Sequence, residues 1–309
     1  MKQIEFVPIE ERTMNDKLVN LYGKHLVGLY TKIEKLYNDD WYKGKYKLPA
    51  APLLIELESD DNDKFPYETA DIRIMFFGRE TNNWDDRHDT RKDKELYTDY
   101  GTYNFHLQNN DDILAEIRGR HTDENGNDLS GQDERYGLTD IYINYLYSRD
   151  ENTGERITVG KSPFTKWCYS FVDKLQARYP DKTVEFVWNN LFKIGNTNIK
   201  SGHSRGKSNS IIRDIEKEYF DVIESELEIL KPDIIIFTPL DEDKTILEKF
   251  SIGQDAYAPV DSNLPELRRI DIPNIKYAAR TIHPSTPRTP KEIFRAYDLA
   301  LIDDIMKRL

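Results

Sequence analysis

This 309-residue sequence has a single cysteine and no long apolar run. Cys168 is the only cysteine, which excludes an internal disulfide, a Cys-rich zinc site and a cysteine-held iron–sulfur cluster. No apolar stretch reaches the length of about 18 residues that a transmembrane helix needs. The opening MKQIEFVPIEERT carries three glutamates before any apolar block, which argues against a secretory signal. We therefore expect a cytoplasmic protein with no membrane partner.

Acidic residues outnumber basic ones, 56 Asp and Glu against 44 Lys and Arg, so the formal net charge is −12 at pH 7. A uniformly acidic surface would repel phosphates and disfavour nucleic-acid binding. Two windows break that uniformity: residues 186–213 contain five Lys or Arg and no acid, and residues 272–291 contain four and no acid. The sequence therefore predicts a local basic rim on an acidic protein.

Hydrophobic periodicity predicts alternating strands and helices. Apolar runs predict strands at 72–77, 183–188, 233–237 and 275–282, and three- and four-residue spacing predicts helices around them. The continuous apolar run at 233–237 is typical of a strand that is buried on both faces of a parallel sheet. We therefore expect an α/β fold, namely a three-layer α/β/α sandwich around a central, mainly parallel, four-stranded sheet.

Two further segments complete the predicted organisation, which is a single domain over residues 1–309. An amphipathic pattern predicts an N-terminal helical extension at about 14–40. Residues 85–160 are polar and rich in Asp, Asn, Gly and Tyr. We predict that they form a long insertion, with a short helix near 111–118 and an apolar stretch at 138–147.

Polar side chains follow the predicted strands at the points where the strands end. The four loops begin with GRETNNW, NNLFKIG, TPLDED and HPSTPRTP. In open parallel sheets, ligands bind in the crevice outside the carboxyl ends of the strands. The two basic windows overlap the second and fourth loops, so the sequence predicts an anion-binding site at this edge.

These segments, taken in order, resemble motifs of the uracil-DNA glycosylase superfamily. Residues 78–83 resemble its first motif, which is written G-Q-D-P-Y-H in the best-known branch. Residues 187–189 are similar to the strand whose terminal Asn reads the base, and residues 202–206 to a loop that contains Ser and His. His283-Pro284-Ser285 matches the start of H-P-S-P-L-S. The resemblance covers roughly residues 72–84 and 163–300, and it implies the fold of that superfamily.

The resemblance also implies an activity, the release of a damaged or deaminated base from DNA by hydrolysis of an N-glycosidic bond, as in base-excision DNA repair. The base must first leave the helical stack and enter a pocket. Cleavage then develops positive charge on the sugar and negative charge on the base, so a carboxylate and a hydrogen-bond donor are both needed. By resemblance, Glu80 stands at the catalytic carboxylate position, Asn189 at the base-recognition position and His283 at the position of the leaving-group donor. No cofactor and no metal are implied.

Other residues of the same motifs are predicted to contact the substrate. These predicted substrate contacts are Gly78, Arg79, Asn82, Trp84 and Ser285. Phosphate contacts are predicted for His203, Arg205, Lys207 and Arg288.

Four departures from the superfamily motifs bear on function. Arg79 stands where the first motif has Gln, and Glu80 is one methylene longer than Asp. Asn82 stands where a Tyr excludes thymine, and Pro287 stands where a Leu wedge enters the duplex. These departures leave two alternatives open: a catalytically inactive nucleic-acid- or nucleotide-binding protein on the same fold, and a hydrolase of free nucleosides or nucleotides. Glu80 also has a structural alternative, an ion pair with Arg79, and Asn189 has one as the cap of a turn.

Overall fold

The computed structural model describes residues 13–46, 49–58, 65–80, 110–118, 137–146, 148–149, 156–157, 162–196, 208–239, 241–286 and 289–309. The helices in these ranges are α1 (Met14–Asn38), α2 (Asp40–Lys45), α3 (Pro66–Thr69), α4 (Asn110–Arg118), α5 (Leu138–Leu146), α6 (Pro163–Arg178), α7 (Ser210–Tyr219), α8 (Ile223–Leu230), α9 (Asp243–Lys249) and α10 (Lys291–Met306). The strands are β1 (Ile72–Gly78), β2 (Ser148–Arg149), β3 (Arg156–Ile157), β4 (Val184–Asn190), β5 (Ile234–Phe237), β6 (Tyr257–Pro259), β7 (Arg268–Ile270) and β8 (Tyr277–Arg280).

Six of these strands form one mixed sheet in the order β4-β1-β5-β8-β7-β6. The first four are parallel to one another, whereas β7 and β6 run antiparallel to their neighbours. The predicted α/β class is confirmed, and the four predicted strands correspond to β1, β4, β5 and β8. The predicted four-stranded, mainly parallel sheet is wrong. The strands β6 and β7 have three residues each, too few for an alternating pattern to be visible in the sequence.

Helices cover both faces of β1, which lies inside the sheet between β4 and β5. Successive side chains of a strand point to opposite faces. Phe76 accordingly packs against Trp167 and Phe171 of α6, whereas Phe77 stacks on Phe237 and meets Phe250 at the end of α9. Burial on both sides explains why the sequence of this strand is apolar except at Arg73.

Helix α1 lies on the face of the sheet that is opposite α6. A capping box fixes its start, because Thr13 and Asp16 each accept a hydrogen bond from the other's backbone N–H. Its apolar face includes Tyr22 and Leu26, both fully buried. The Tyr22 hydroxyl donates to Glu226 of α8 over 2.7 Å. The segment predicted as an N-terminal extension therefore contributes side chains to the main core.

Helices α4 and α5 lie within the predicted 85–160 insertion and agree with the predicted helix near 111–118 and the apolar stretch at 138–147. Tyr142 of α5 connects this region to the sheet. Its hydroxyl donates to the carbonyl of Trp188 and accepts from the backbone N–H of Trp188, each over 2.9 Å. Because β4 is an edge strand, this hydroxyl satisfies two backbone groups that have no strand partner.

None of the helices in the described ranges combines the length and apolar character that crossing a membrane requires.

Candidate functional site

The turns after β1 and β4 are joined at the carboxyl edge of the sheet. The N–H of Leu191 donates to the carbonyl of Gly78 over 3.0 Å, and the N–H of Phe192 donates to the carbonyl of Arg79 over 2.8 Å. These two bonds continue the parallel pairing beyond the end of both strands. Arg79 and Glu80 are therefore held at a fixed position beside the end of β4.

The carboxylate of Glu80 accepts three hydrogen bonds in this turn, and its side chain is only 7% exposed. Its Oε2 accepts from the backbone N–H of Ser208 over 2.8 Å and lies 2.5 Å from the Ser208 hydroxyl. Its Oε1 accepts from Arg79 Nη2 over 3.2 Å. Glu80 therefore links the turn after β1 to the residue that precedes the Asn209 cap of α7.

Arg79 lies between two carboxylates and is one-third exposed, at 34%. Besides Glu80, its guanidinium meets Asp241, with 3.7 Å between Nη1 and Oδ2. The guanidinium is also near enough to His283 for its charge to act on the imidazole. Arg79 therefore connects the turns after three of the parallel strands, β1, β5 and β8.

His283, three residues beyond β8, has a fixed neutral form. Burial, with a smaller contribution from the charge of Arg79, lowers its pKa from 6.5 to about 4. Its Nδ1 accepts from the backbone N–H of Ser285 over 3.0 Å, so the proton of the neutral ring is on Nε2. The ring stacks on Phe164, with centroids 5.6 Å apart and an interplanar angle of 11°. The result is an oriented, uncharged N–H donor.

Asn190, the last residue of β4, was not among the predicted site residues. It is 1% exposed, and its Oδ1 accepts from Trp188 Nε1 over 3.0 Å. Its Nδ2 is buried and donates to no described residue. A Cβ on Gly78 would lie 2.5 Å from Asn190 Oδ1, so glycine is needed for the close approach. The sequence did contain a signal for this residue. Side chains two residues apart in a strand lie on the same face, which puts Asn190 on the face of Trp188.

Asn189 lies on the opposite face of β4 and is fully buried. Its Nδ2 donates to Glu226 Oε2 over 2.9 Å, and its Oδ1 accepts from Lys193 Nζ over 2.6 Å. Lys193 and Glu226 form an ion pair of 2.6 Å whose side chains have no exposed surface. The structure therefore brings Glu80, Arg79 and His283 together and places Asn189 in a separate, closed polar network.

Three described cations of the two basic windows are neutralised by acids from other segments. Of their cations, Lys193 pairs with Glu226 inside the protein, Lys276 pairs with Asp233, and Arg280 pairs with Asp243 and Glu266. Sequence windows cannot reveal this neutralisation, because the acids come from other segments.

Arg213 is different from these three. Its guanidinium lies 3.8 Å above the ring of Phe192, and its Nε and Nη2 are buried with no partner in the described part of the chain.

Six predicted contacts lie outside the described residues: Asn82, Trp84, His203, Arg205, Lys207 and Arg288.

A cleft of about 660 Å³ lies at the other, amino edge of the sheet. Its lining includes Arg73, Asp233 and Lys276, which stand at the starts of β1, β5 and β8. Asp233 already accepts from the Arg73 N–H over 2.9 Å and pairs with Lys276 over 2.8 Å. The candidate site and this cleft are therefore at opposite ends of the same strands.

The described residues contain no cluster of three or more side chains suited to holding a metal ion.

A scan of the chain against models of known protein families finds no match, and a search of curated proteins finds no significant similarity. The candidate site at the carboxyl edge therefore stands on its own residues and geometry.

Proposed function

We propose that this protein hydrolyses an N-glycosidic bond and releases a base from DNA, on a three-layer α/β/α fold of the uracil-DNA glycosylase type. The single observation that carries the proposal is the neutral, oriented imidazole of His283 beside Arg79. Covering of both faces of β1 by helices supports the layered fold.

The proposed roles follow from the charge that develops during cleavage. A departing base gains negative charge. A neutral N–H group stabilises that charge by donating a hydrogen bond to the base while it keeps its own proton. His283 offers Nε2–H in this form at neutral pH, because its pKa is about 4. Arg79 adds positive charge next to it. The free Nδ2 of Asn190 is a second donor at the same edge, suited to the acceptor groups of a base.

Glu80 supplies the negative charge in this proposal. Three donors hold its carboxylate in place, namely Arg79 and the N–H and hydroxyl of Ser208. A carboxylate offers about four acceptor positions, so one position on Oε1 is left for a water. Fixed in this way, Glu80 acts by stabilising the sugar cation and orienting that water.

The test is release of free base from oligonucleotides that contain uracil, hypoxanthine, xanthine or an alkylated base, with mononucleotides as competitors. We expect His283→Ala to lower the rate by about 100-fold or more, as for removal of a donor to a developing anion. We expect Glu80→Gln to lower it as well. Unchanged rates in both variants would overturn the proposal. Turnover of mononucleotides but not oligonucleotides would assign the site to free nucleotides.

One observation favours a second function, binding of nucleic acid or nucleotide without chemistry. The carboxylate of Glu80 is 7% exposed and already bridges two segments of the chain, as a purely structural residue does. This alternative predicts salt-dependent binding with no base release from any of the substrates above.

A further inference from the structure

Helix α2 and the residue after it carry a patch of aromatic and basic side chains. The sequence WYKGKYK, residues 41–47, contains three aromatics, three lysines and no acid. Trp41 is 60% exposed, the most of any large apolar side chain among the described residues. Tyr46 meets it edge to face, with ring centroids 5.9 Å apart. The side chains of Trp41, Lys45 and Tyr46 are called the α2 platform below.

Lys45 gives this platform a positive charge that none of the described carboxylates neutralises. Its Nζ lies 5.0 Å from the ring centre of Trp41 and 5.1 Å from that of Tyr46. It forms no ion pair with any residue that the structure describes, whereas neighbouring Lys43 pairs with Asp40 over 2.8 Å. An open indole next to an unpaired cation is the combination that holds stacked bases and their phosphates in single-stranded nucleic acid.

The platform is tied to the candidate site by a short chain of contacts. Tyr42, in the same helix, is buried, and its hydroxyl accepts from Asn209 Nδ2 over 2.8 Å. Asn209 caps α7, and the residue before it, Ser208, donates to Glu80 over 2.8 Å. The α2 platform is therefore anchored two hydrogen bonds away from the carboxylate at the edge of the sheet.

We propose that the α2 platform binds a base of single-stranded nucleic acid by stacking on Trp41, with Lys45 contacting the adjoining phosphate. A six-residue helix offers too little area for a stable protein interface, while one indole is the size of one base. The inference rests on the proposed function only in taking nucleic acid as the partner, and it assigns a contact outside the site of bond cleavage.

The test is fluorescence anisotropy of the full-length protein with a labelled thymidine homopolymer, which contains none of the modified bases of the base-release assay. We expect Trp41→Ala to weaken binding about tenfold, the typical effect of removing one stacked base. Trp41→Phe should restore most of the affinity. Ile293→Ala is the matched control, since Ile293 is 47% exposed on α10, and it should bind as the unmodified protein does. Lys45→Gln should reduce the salt slope by about 0.7.

The outcomes separate this inference from the proposed function. Equal affinity of the Trp41→Ala and unmodified proteins, or no homopolymer binding even at low salt, overturns the α2 platform, and base release from modified oligonucleotides then still tests the proposed hydrolysis. Loss of binding in Trp41→Ala with rescue by Trp41→Phe supports the platform, whether or not a base is released. Absence of base release would reject only the proposed hydrolysis. An equal loss in both Trp41 variants overturns stacking.

Discussion

Asn189 and Asn190 are adjacent at the end of β4, yet their amides meet opposite surroundings. The amide of Asn189 has bonds to Lys193 and Glu226 in a network with no access to solvent. The amide of Asn190 is equally buried but leaves Nδ2 without a partner among the described residues. One face of β4 is therefore closed by its own side chains, and the other keeps an unused donor beside the turn that carries Glu80.

The difference between the two faces shows how a site can be told from a core network. A buried donor without a partner costs about 1 to 3 kcal/mol, so a fold that retains one needs a reason. On the Asn190 face, the acceptor group of a bound substrate would supply that reason under the proposed function. On the Asn189 face no ligand is needed, because Lys193 and Glu226 already satisfy each other.

The largest expected effect comes from opening the closed face. Glu226→Ala leaves the ammonium of Lys193 buried without its carboxylate, and it also removes the partner of the Tyr22 hydroxyl. We expect the free energy of unfolding to fall by about 3 to 5 kcal/mol. Chemical denaturation at neutral pH measures this change.

Glu228→Ala is the matched control, because Glu228 is an exposed residue of the same helix. Its free energy of unfolding should change by no more than about 0.5 kcal/mol. Equal denaturation midpoints for the two variants would contradict the view that the Asn189 face is held together by the ion pair.

The four parallel strands were predictable because each buries apolar side chains on both faces, as at 72–77 and 233–237. The pairing of Lys193 with Glu226 was not, since the two are far apart in the sequence and no local pattern shows that a lysine is buried. The carboxyl edge followed from topology, and Glu80 and His283 followed from the resemblance. The sequence did not show which of the two adjacent asparagines offers a donor to the candidate site. That depends on the face of the sheet to which each side chain points, and hence on the register of the strand.

The same substitution at the two asparagines should differ in its effect on catalysis. Asn190→Ala removes the donor Nδ2 and also the acceptor of Trp188 Nε1, so we expect kcat/KM for base release to fall about tenfold, together with a loss of stability. Asn189→Ala removes an acceptor from Lys193 and a donor from Glu226, so we expect a loss of about 1 to 3 kcal/mol of stability with catalysis unchanged. Steady-state kinetics and thermal unfolding of both variants measure the two effects.

A lower kcat/KM in Asn189→Ala, with Asn190→Ala unaffected, would reverse the assignment of the two faces. It would restore the base-recognition role that the sequence resemblance gave to Asn189. Either result is informative only if the variants are folded at the assay temperature, which the unfolding curves establish.

The smallest expected effect concerns His283 and acid. In the unfolded chain this histidine takes up a proton near its ordinary pKa of 6.5, whereas in the folded protein its pKa is about 4. The unfolded state therefore binds more protons between these values, and stability falls as the pH is lowered through this range. His283→Gln removes this contribution, so its stability should fall less than that of the unmodified protein.

The difference between the two proteins should be on the order of 1 kcal/mol at about pH 5.5 and absent at pH 8. Because both proteins carry the same carboxylates, subtracting the two pH profiles isolates the histidine. Parallel profiles would mean that the ring is as free to ionise as in water. The neutral donor proposed at His283 would then be lost, and the contrast between the two faces of β4 would rest only on Asn190 Nδ2, which has no partner among the described residues.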